Sequence, residues 1–494
     1  MSASASESAV NQGGEVTFPA FSLFSFLWAC ALLSHQVFYN AILQSPWDAA
    51  LTAAALLTLL RPSSPLLLLA LCGLHSVTVF HHLPDARNHW YFSSLHSLTV
   101  ALILAASLFS HRRPHRYRRL LDPARLQPAI AAASRLNLAI LYFFSGFHKL
   151  NESYFSPETS CGVVTYGYLI DALPFLPASP ASRLHAAHLG AFIELALPFL
   201  LFSNLFRRPA VLLGLLFHLG LGLMSYRRFS LIAYALLAAS LPELGPFLAH
   251  QLRRLRAALP ARRLLLPAFA LVTTAAVLHA LRQPLRALVH ATPWLFDLVR
   301  SAAVFLPQPD EVLFVPASAV LIAAAANLLW RQRLNPVPSL NWPPAARPAL
   351  LGVALVFASG LSPYLGLRTL NTFAMYSNLR TEGDSSNHFL VPSSWQLFDY
   401  QRDLVSVEES NIPELHAIAS RRLLVPYQQL RVAVTRQRQY GSRGLRIVYY
   451  RAGRRHVVPA AELHPELGRP LPALAVKFLT FRPIEPSGPR HCSL

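Results

Sequence analysis

The chain has 494 residues, 53% of them hydrophobic and only 13% charged, with a formal net charge of +20. Soluble globular domains carry about 25% charged residues, so an ordinary soluble fold is a poor match. Nucleic-acid binding is disfavoured too, because the basic residues cluster at the ends of apolar runs rather than among aromatics on one polar face.

Residues 1–17 form a Ser- and Ala-rich tail with no basic leader region and no small-residue cleavage site, so the first apolar run is expected to stay in place as a signal anchor. Hydropathy predicts spans near 18–42, 46–60, 64–82, 91–110, 129–148, 189–205, 209–226, 229–247, 264–282, 312–330 and 347–363. The second is short enough to be re-entrant. The expected fold is a polytopic α-helical membrane bundle of about 9–11 spans. With eleven spans, Arg61, the basic run 111–119, Arg207-Arg208, the run 253–263 and Arg331 with Arg333 fall on one face, which the positive-inside rule assigns to the cytoplasm. Arg227-Arg228 and Arg282 with Arg286 fall on the other and count against that orientation. Residues 284–311 read as an amphipathic connector along the outer face.

Beyond residue 364 the apolar runs shorten and charge rises. Alternation in LRVAVTR and LRIVYYRAG predicts two strands joined by QRQYGSRG, and RHVVPA and AVKFLTF are further strand candidates. The layout is therefore a tail (1–17), a transmembrane bundle (18–283), a connector with the last spans (284–363) and a small β-rich extracytoplasmic C-terminal domain (364–494). Cys30 and Cys72 lie in apolar runs, where cysteine behaves as a small hydrophobe. Cys161 and Cys492 fall in segments placed outside, where a disulfide can join them.

Ionisable groups inside an apolar span are functional hypotheses by default. Glu194 is the one carboxylate well inside such a run, although it could also tie two helices together. The chain holds only two lysines, Lys149 and Lys477, among 43 basic residues. Arginine cannot be deprotonated, whereas a partly desolvated lysine amine can, so Lys149 reads as a general base or proton relay; the structural alternative is a snorkelling interfacial lysine. Twenty histidines raise the question of a metal, but His185 and His188 are the only close helical pair besides the His81-His82 doublet. No metal site is expected. In the topology above His89, Lys149 and Glu194 share the outer leaflet and His218 lies near mid-membrane, which suggests a pocket for an amphipathic ligand.

The segment Ser145-Gly146-Phe147-His148-Lys149-Leu150-Asn151 resembles the signature of the vitamin K-dependent γ-carboxylase family and its bacterial relatives with a horizontally transferred transmembrane domain. Asn88-His89-Trp90-Tyr91, His188-Leu189-Gly190 followed by Glu194, and Phe217-His218 resemble further family motifs, in family order, across roughly residues 88–240. His148 stands where the family has lysine and Glu194 where it has aspartate, and the chain is far shorter than the animal carboxylases. The resemblance implies that Lys149 deprotonates vitamin K hydroquinone or a related quinol, assisted by His89, with Asn88, His148, His188, Glu194 and His218 around the quinol pocket. It implies carbon dioxide and oxygen as co-substrates, a quinone epoxide as by-product and a protein or peptide substrate on the extracytoplasmic side of the lipid bilayer. A non-catalytic scaffold or lipid- and quinone-binding protein of the same fold is the competing expectation. No internal repeat points to a transporter. Arg-, Ala-, Leu- and Pro-rich composition suggests a high-GC bacterium, hence an inner-membrane protein with a periplasmic C-terminal domain.

Overall fold

Proline and serine punctuate the apolar runs and set where helices begin. In the computed structural model, which describes residues 3–39, 41–109, 122–258, 309–332, 336–337, 342–486, 488 and 490–492, the helices in chain order are α1 (Ala3–Phe38), α2 (Pro46–Leu60), α3 (Pro65–His82), α4 (Asn88–Phe109), α5 (Pro123–Phe147), α6 (Cys161–Ala172), α7 (Pro180–Phe202), α8 (Arg207–Leu221), α9 (Arg227–Ser240), α10 (Leu244–Ala258), α11 (Pro309–Gln332) and α12 (Ala349–Leu365). The start of α2 shows the rule: Ser45 caps it through Asp48 N and Pro46 occupies the first turn, where its missing N–H loses nothing.

Among the described residues, seven stretches are long and apolar enough to cross a membrane, and α2 and α12 are shorter apolar helices. These helices suggest an integral membrane protein. Along α7, Leu189, Phe192, Phe199 and Phe202 are exposed, whereas Ala187, Ala191, Glu194 and Leu197 are buried. From Leu189 on, the exposed side chains of α7 are all apolar, which suits hydrocarbon rather than water. The expected span 264–282 and all of the connector 284–311 up to residue 308 lie outside the described residues, while residues 309–311 open α11. The span expected at 189–205 begins earlier, at Pro180, so Glu194 sits in the middle of α7 rather than in its first turns.

The chain divides into two compact units: Met1–Leu74 with Val100–Arg135 and Leu200–Arg347, and His75–Thr99 with Leu136–Phe199 and Pro348–Leu494. In the first, α1 packs on α2, α9 and α10, and α8 packs on α9 and α11. Gly245 permits the α1–α10 approach, since a Cβ there would meet the Ala20 backbone at 2.6 Å. The apolar stretch Arg207–Ser240 is one run by composition but two helices in space. Met224 and Ser225 leave helical geometry, Ser225 with φ 74°, and the chain turns back so that Tyr234 reaches Leu215 O (3.4 Å) and Leu237 faces Gly214.

In the second unit the C-terminal segment carries β1 (Leu404–Ser410), α13 (Pro413–Ser420), β2 (Leu424–Pro426), α14 (Tyr427–Gln439), β3 (Ile447–Arg451), β4 (Arg454–Val458) and α15 (Ala473–Phe478). The four strands form one antiparallel sheet in the order β2-β1-β3-β4. Ala452 and Gly453, both at positive φ, turn β3 into β4. Two strand expectations fail. LRVAVTR lies in α14, because Tyr427, Leu430, Ala433 and Val434 form a helical stripe that joins the core with Val405, Val407, Ile447 and Leu415. AVKFLTF begins as α15 behind Pro472. The C-terminal segment is therefore mixed α and β.

Candidate functional site

The site is built where the second-unit parts of α5 and α7, from Leu136 on and up to Phe199, come into contact. Gly146 makes this approach feasible: a Cβ at that position would meet Leu195 Cγ at 2.8 Å and Leu195 N at 3.0 Å. The adjoining Ser145 and the following Lys149 are thereby set against Glu194, one residue before Leu195. The Lys149 ammonium donates to Glu194 Oε2, to Ser145 O (3.2 Å) and to Ser145 Oγ (3.2 Å). Ser145 Oγ in turn donates to Glu194 Oε1 at 3.0 Å, which closes a ring of three side chains. The Lys149 and Glu194 side chains are only 8% and 10% exposed. Such an ion pair is held by geometry and by its extra hydrogen bonds, since desolvation cancels much of the Coulombic gain. The Tyr154 ring lies 5.9 Å from the ammonium, and its hydroxyl donates to Ala187 O (3.1 Å) on α7.

The turn after Lys149 is fastened by a buried polar network. His148 has Thr372 O at 2.9 Å from Nε2, so that nitrogen carries the hydrogen and Nδ1 accepts from Tyr364 Oη–H at 2.8 Å. Burial holds the His148 imidazole well below the usual histidine range, and the neighbouring cations Arg482 and Lys149 push the same way. His388 Nε2 donates to Phe147 O (2.9 Å), while its Nδ1 accepts from Leu390 N and Val391 N, both at 3.1 Å. Burial lowers its pKa as well. Asn151 donates to His148 O (2.8 Å) and Ser377 O (2.6 Å). Asn378 donates to Thr159 O and Arg490 O and accepts from Cys161 N, each at 2.8 Å. Cys161 is disulfide-bonded to Cys492, so the C-terminal tail is locked to the start of α6.

The other residues singled out in the sequence are placed differently. Asn88 and His89 occupy the first turn of α4, half-buried, and Asn88 Oδ1 is buried without a hydrogen-bond partner. Every N–H of Lys149 is accounted for by Ser145 and Glu194, so His89 is not a partner of the amine. His188 lies on α7, six residues before Glu194, with its ring 4.8 Å from Phe155 and Nε2 buried without a partner. Phe155 also meets Phe389 at 5.7 Å. His218 belongs to the first unit, buried inside the α8–α9 hairpin against Phe229 (5.1 Å). Tyr364, His388 and Asn378 gave no signal in the sequence, because a tyrosine, a histidine and an asparagine in a polar segment are ordinary until the fold buries them.

No family model, curated protein or solved structure matches this chain.

Proposed function

We propose that this protein is a membrane enzyme of the γ-carboxylase type, in which the Lys149–Glu194 pair is the proton-handling centre. The observation that carries the reading is a buried amine hydrogen-bonded at once to a carboxylate and to the hydroxyl that orients it. In the resting pair both groups are charged and desolvated. Passing one proton from Lys149 Nζ to Glu194 Oε2 along their hydrogen bond gives a neutral amine beside a neutral carboxyl. The freed lone pair on Nζ can then accept a proton from an acidic hydroxyl brought against it, while Ser145 Oγ keeps both partners aligned. Glu194 then releases its proton to water, which restores the charged pair and carries off the equivalent of the proton taken from the hydroxyl, so the cycle balances.

The neighbourhood fits an aromatic diol such as a quinol. His188 Nε2 is a buried polar atom in need of a partner, and Phe155 and Phe389 supply aromatic faces beside it. His188 and the Glu194 pair are the residues that would hold the group, with Asn88 Oδ1 a further buried acceptor. When bound, the quinol supplies the reducing equivalents with which oxygen is turned into a base strong enough for carbon-acid deprotonation, and carboxylation by carbon dioxide follows. The Cys161–Cys492 disulfide supports an extracytoplasmic location for this side of the chain, periplasmic in a bacterium, because such bonds persist in oxidising compartments. A protein or peptide substrate would be met there.

The test supplies membranes containing wild type, Lys149→Ala or Lys149→Arg with labelled bicarbonate and vitamin K hydroquinone. Incorporation by wild type alone is expected; equal incorporation by all three removes Lys149 as the base. One observation favours a second reading, a quinone- or lipid-binding protein without turnover: all three N–H groups of Lys149 are already spent on Ser145 and Glu194, as in a structural tie. That reading predicts a co-purifying quinone or lipid and no incorporation by wild type.

A further inference from the structure

The first unit holds a buried cationic cluster that plays no part in the chemistry proposed at Lys149. Arg135 on α5 is 2% exposed, and its guanidinium lies 5.7 Å from the Phe202 ring. Its Nε and Nη2 are both buried with no hydrogen-bond partner. Arg207 and Arg208, at the start of α8, are also buried, but theirs is a different situation. Arg207 Nη2 donates to Asn204 Oδ1 (3.0 Å), and Arg208 Nη2 donates to Glu243 Oε1 (2.9 Å) and Gln332 Oε1 (2.8 Å). Arg207 is close enough to act electrostatically on Arg135, and Glu243 and Arg208 act on Arg207 in turn.

Arginine cannot shed its proton, so Arg135 has no neutral form in which to escape the cost of burial. Its two unpartnered nitrogens are also the pair whose N–H bonds run parallel along one edge of the guanidinium. That edge matches two oxygens of one oxyanion. Gln127, two turns earlier on α5 in the direction helical side chains lean, has both amide atoms buried and unpartnered. A vacant two-donor edge on a buried cation and an unsatisfied amide on the same helix call for the same kind of ligand.

We propose that Arg135, in the field of Arg207, binds a phosphate group, carried either by a phospholipid headgroup or by free phosphate. A phosphodiester bears one negative charge and free phosphate between one and two at neutral pH, and either offers oxygens for both vacant N–H groups.

The experiment uses the full-length protein, purified in detergent and stripped of lipid. Its thermal unfolding is followed against inorganic phosphate in one arm, and against phosphatidylcholine vesicles with and without phosphatidylglycerol in the other. The midpoint is expected to climb with the logarithm of ligand concentration in at least one arm, and which arm responds identifies the source. Arg135→Lys keeps the charge but loses the parallel edge, and should weaken the apparent affinity about tenfold or more. Arg135→Met should abolish the climb. The proposal is overturned if neither ligand moves the wild-type midpoint, or if Arg135→Lys responds as wild type does. It is overturned equally if Arg135→Met is more stable than wild type at every ligand concentration, the behaviour of a buried charge that nothing compensates.

Discussion

At the scale of single residues, Lys149 and Glu194 owe their legibility to cost. A carboxylate in an apolar run and a lysine in a chain that otherwise uses arginine both stand out in the sequence alone. Ser145 and Tyr154 complete the same cluster; Ser145 stands in the sequence only as the small residue that opens the motif, and Tyr154 gives no signal, because hydroxyl residues are common and carry little penalty. Lys477, read as a strand residue, instead folds back on the end of α3 and donates to Phe80 O (2.7 Å) and to His81 O and Leu83 O (both 3.3 Å). Removing one member of a buried pair strands the other, so Glu194→Leu and Lys149→Met should each lower stability by about 3–5 kcal/mol, and the double variant should recover most of that loss. A double-mutant cycle by thermal unfolding in detergent checks this. Losses that simply add would mean the two charges are not coupled. The cycle also separates tie from catalyst: a double variant restored in stability yet devoid of carboxylation places the function in the charges rather than in the packing.

At the scale of elements, periodicity reports what a segment buries only when the window is long enough. The short alternation in LRVAVTR fits a strand, but the stripe from Tyr427 to Val434 decides for α14, whereas β3 and β4 were readable because their alternation ends at the Ala452-Gly453 turn. The segment after α12 gave the weakest signal. Gly366 ends that helix at φ 78°, where a Cβ would meet Phe398 O at 2.0 Å, and Asn371, Phe373, Tyr376 and Asn378 all follow with positive φ. Such backbone persists only where its surroundings over-determine it, here through Asn151, Asn378, His148 and His388. Two buried neutral imidazoles make this fastening sensitive to acid. Below about pH 6.5 the unfolded chain takes up the proton that folded His148 refuses, so stability falls as pH drops towards the folded value, by about 1.4 kcal/mol per pH unit. His388 adds to the loss with the same sign. Thermal unfolding of wild type and His148→Gln between pH 7 and pH 5 should show the variant losing less on acidification. Parallel pH dependences would remove His148 from this role.

At the scale of the whole chain, composition alone points to helices apolar enough to cross a membrane, but their number and orientation depend on where the charges end up. Seven described stretches are long and apolar enough to cross, and one of those is the α8–α9 hairpin. Arg207, Arg208, Arg227 and Arg228 entered the charge balance as though they were exposed loop residues, but all four are buried and engage partners inside the first unit. A buried arginine says nothing about which compartment it faces. The disulfide is a better reporter of sidedness, since it depends on redox environment rather than on a count. It joins residues 331 apart in sequence, and closing so long a loop restricts the unfolded chain. Cys161→Ser should therefore lower stability by about 2–5 kcal/mol, and reduction of wild type should do the same, while Cys161→Ser becomes indifferent to reductant. If this part of the chain faces the oxidising side, the Cys492 thiol freed in Cys161→Ser should react in intact cells with a maleimide that cannot cross the membrane. Labelling that appears only after the cells are broken would put the tail, and with it the Lys149 end of α5, on the cytoplasmic side.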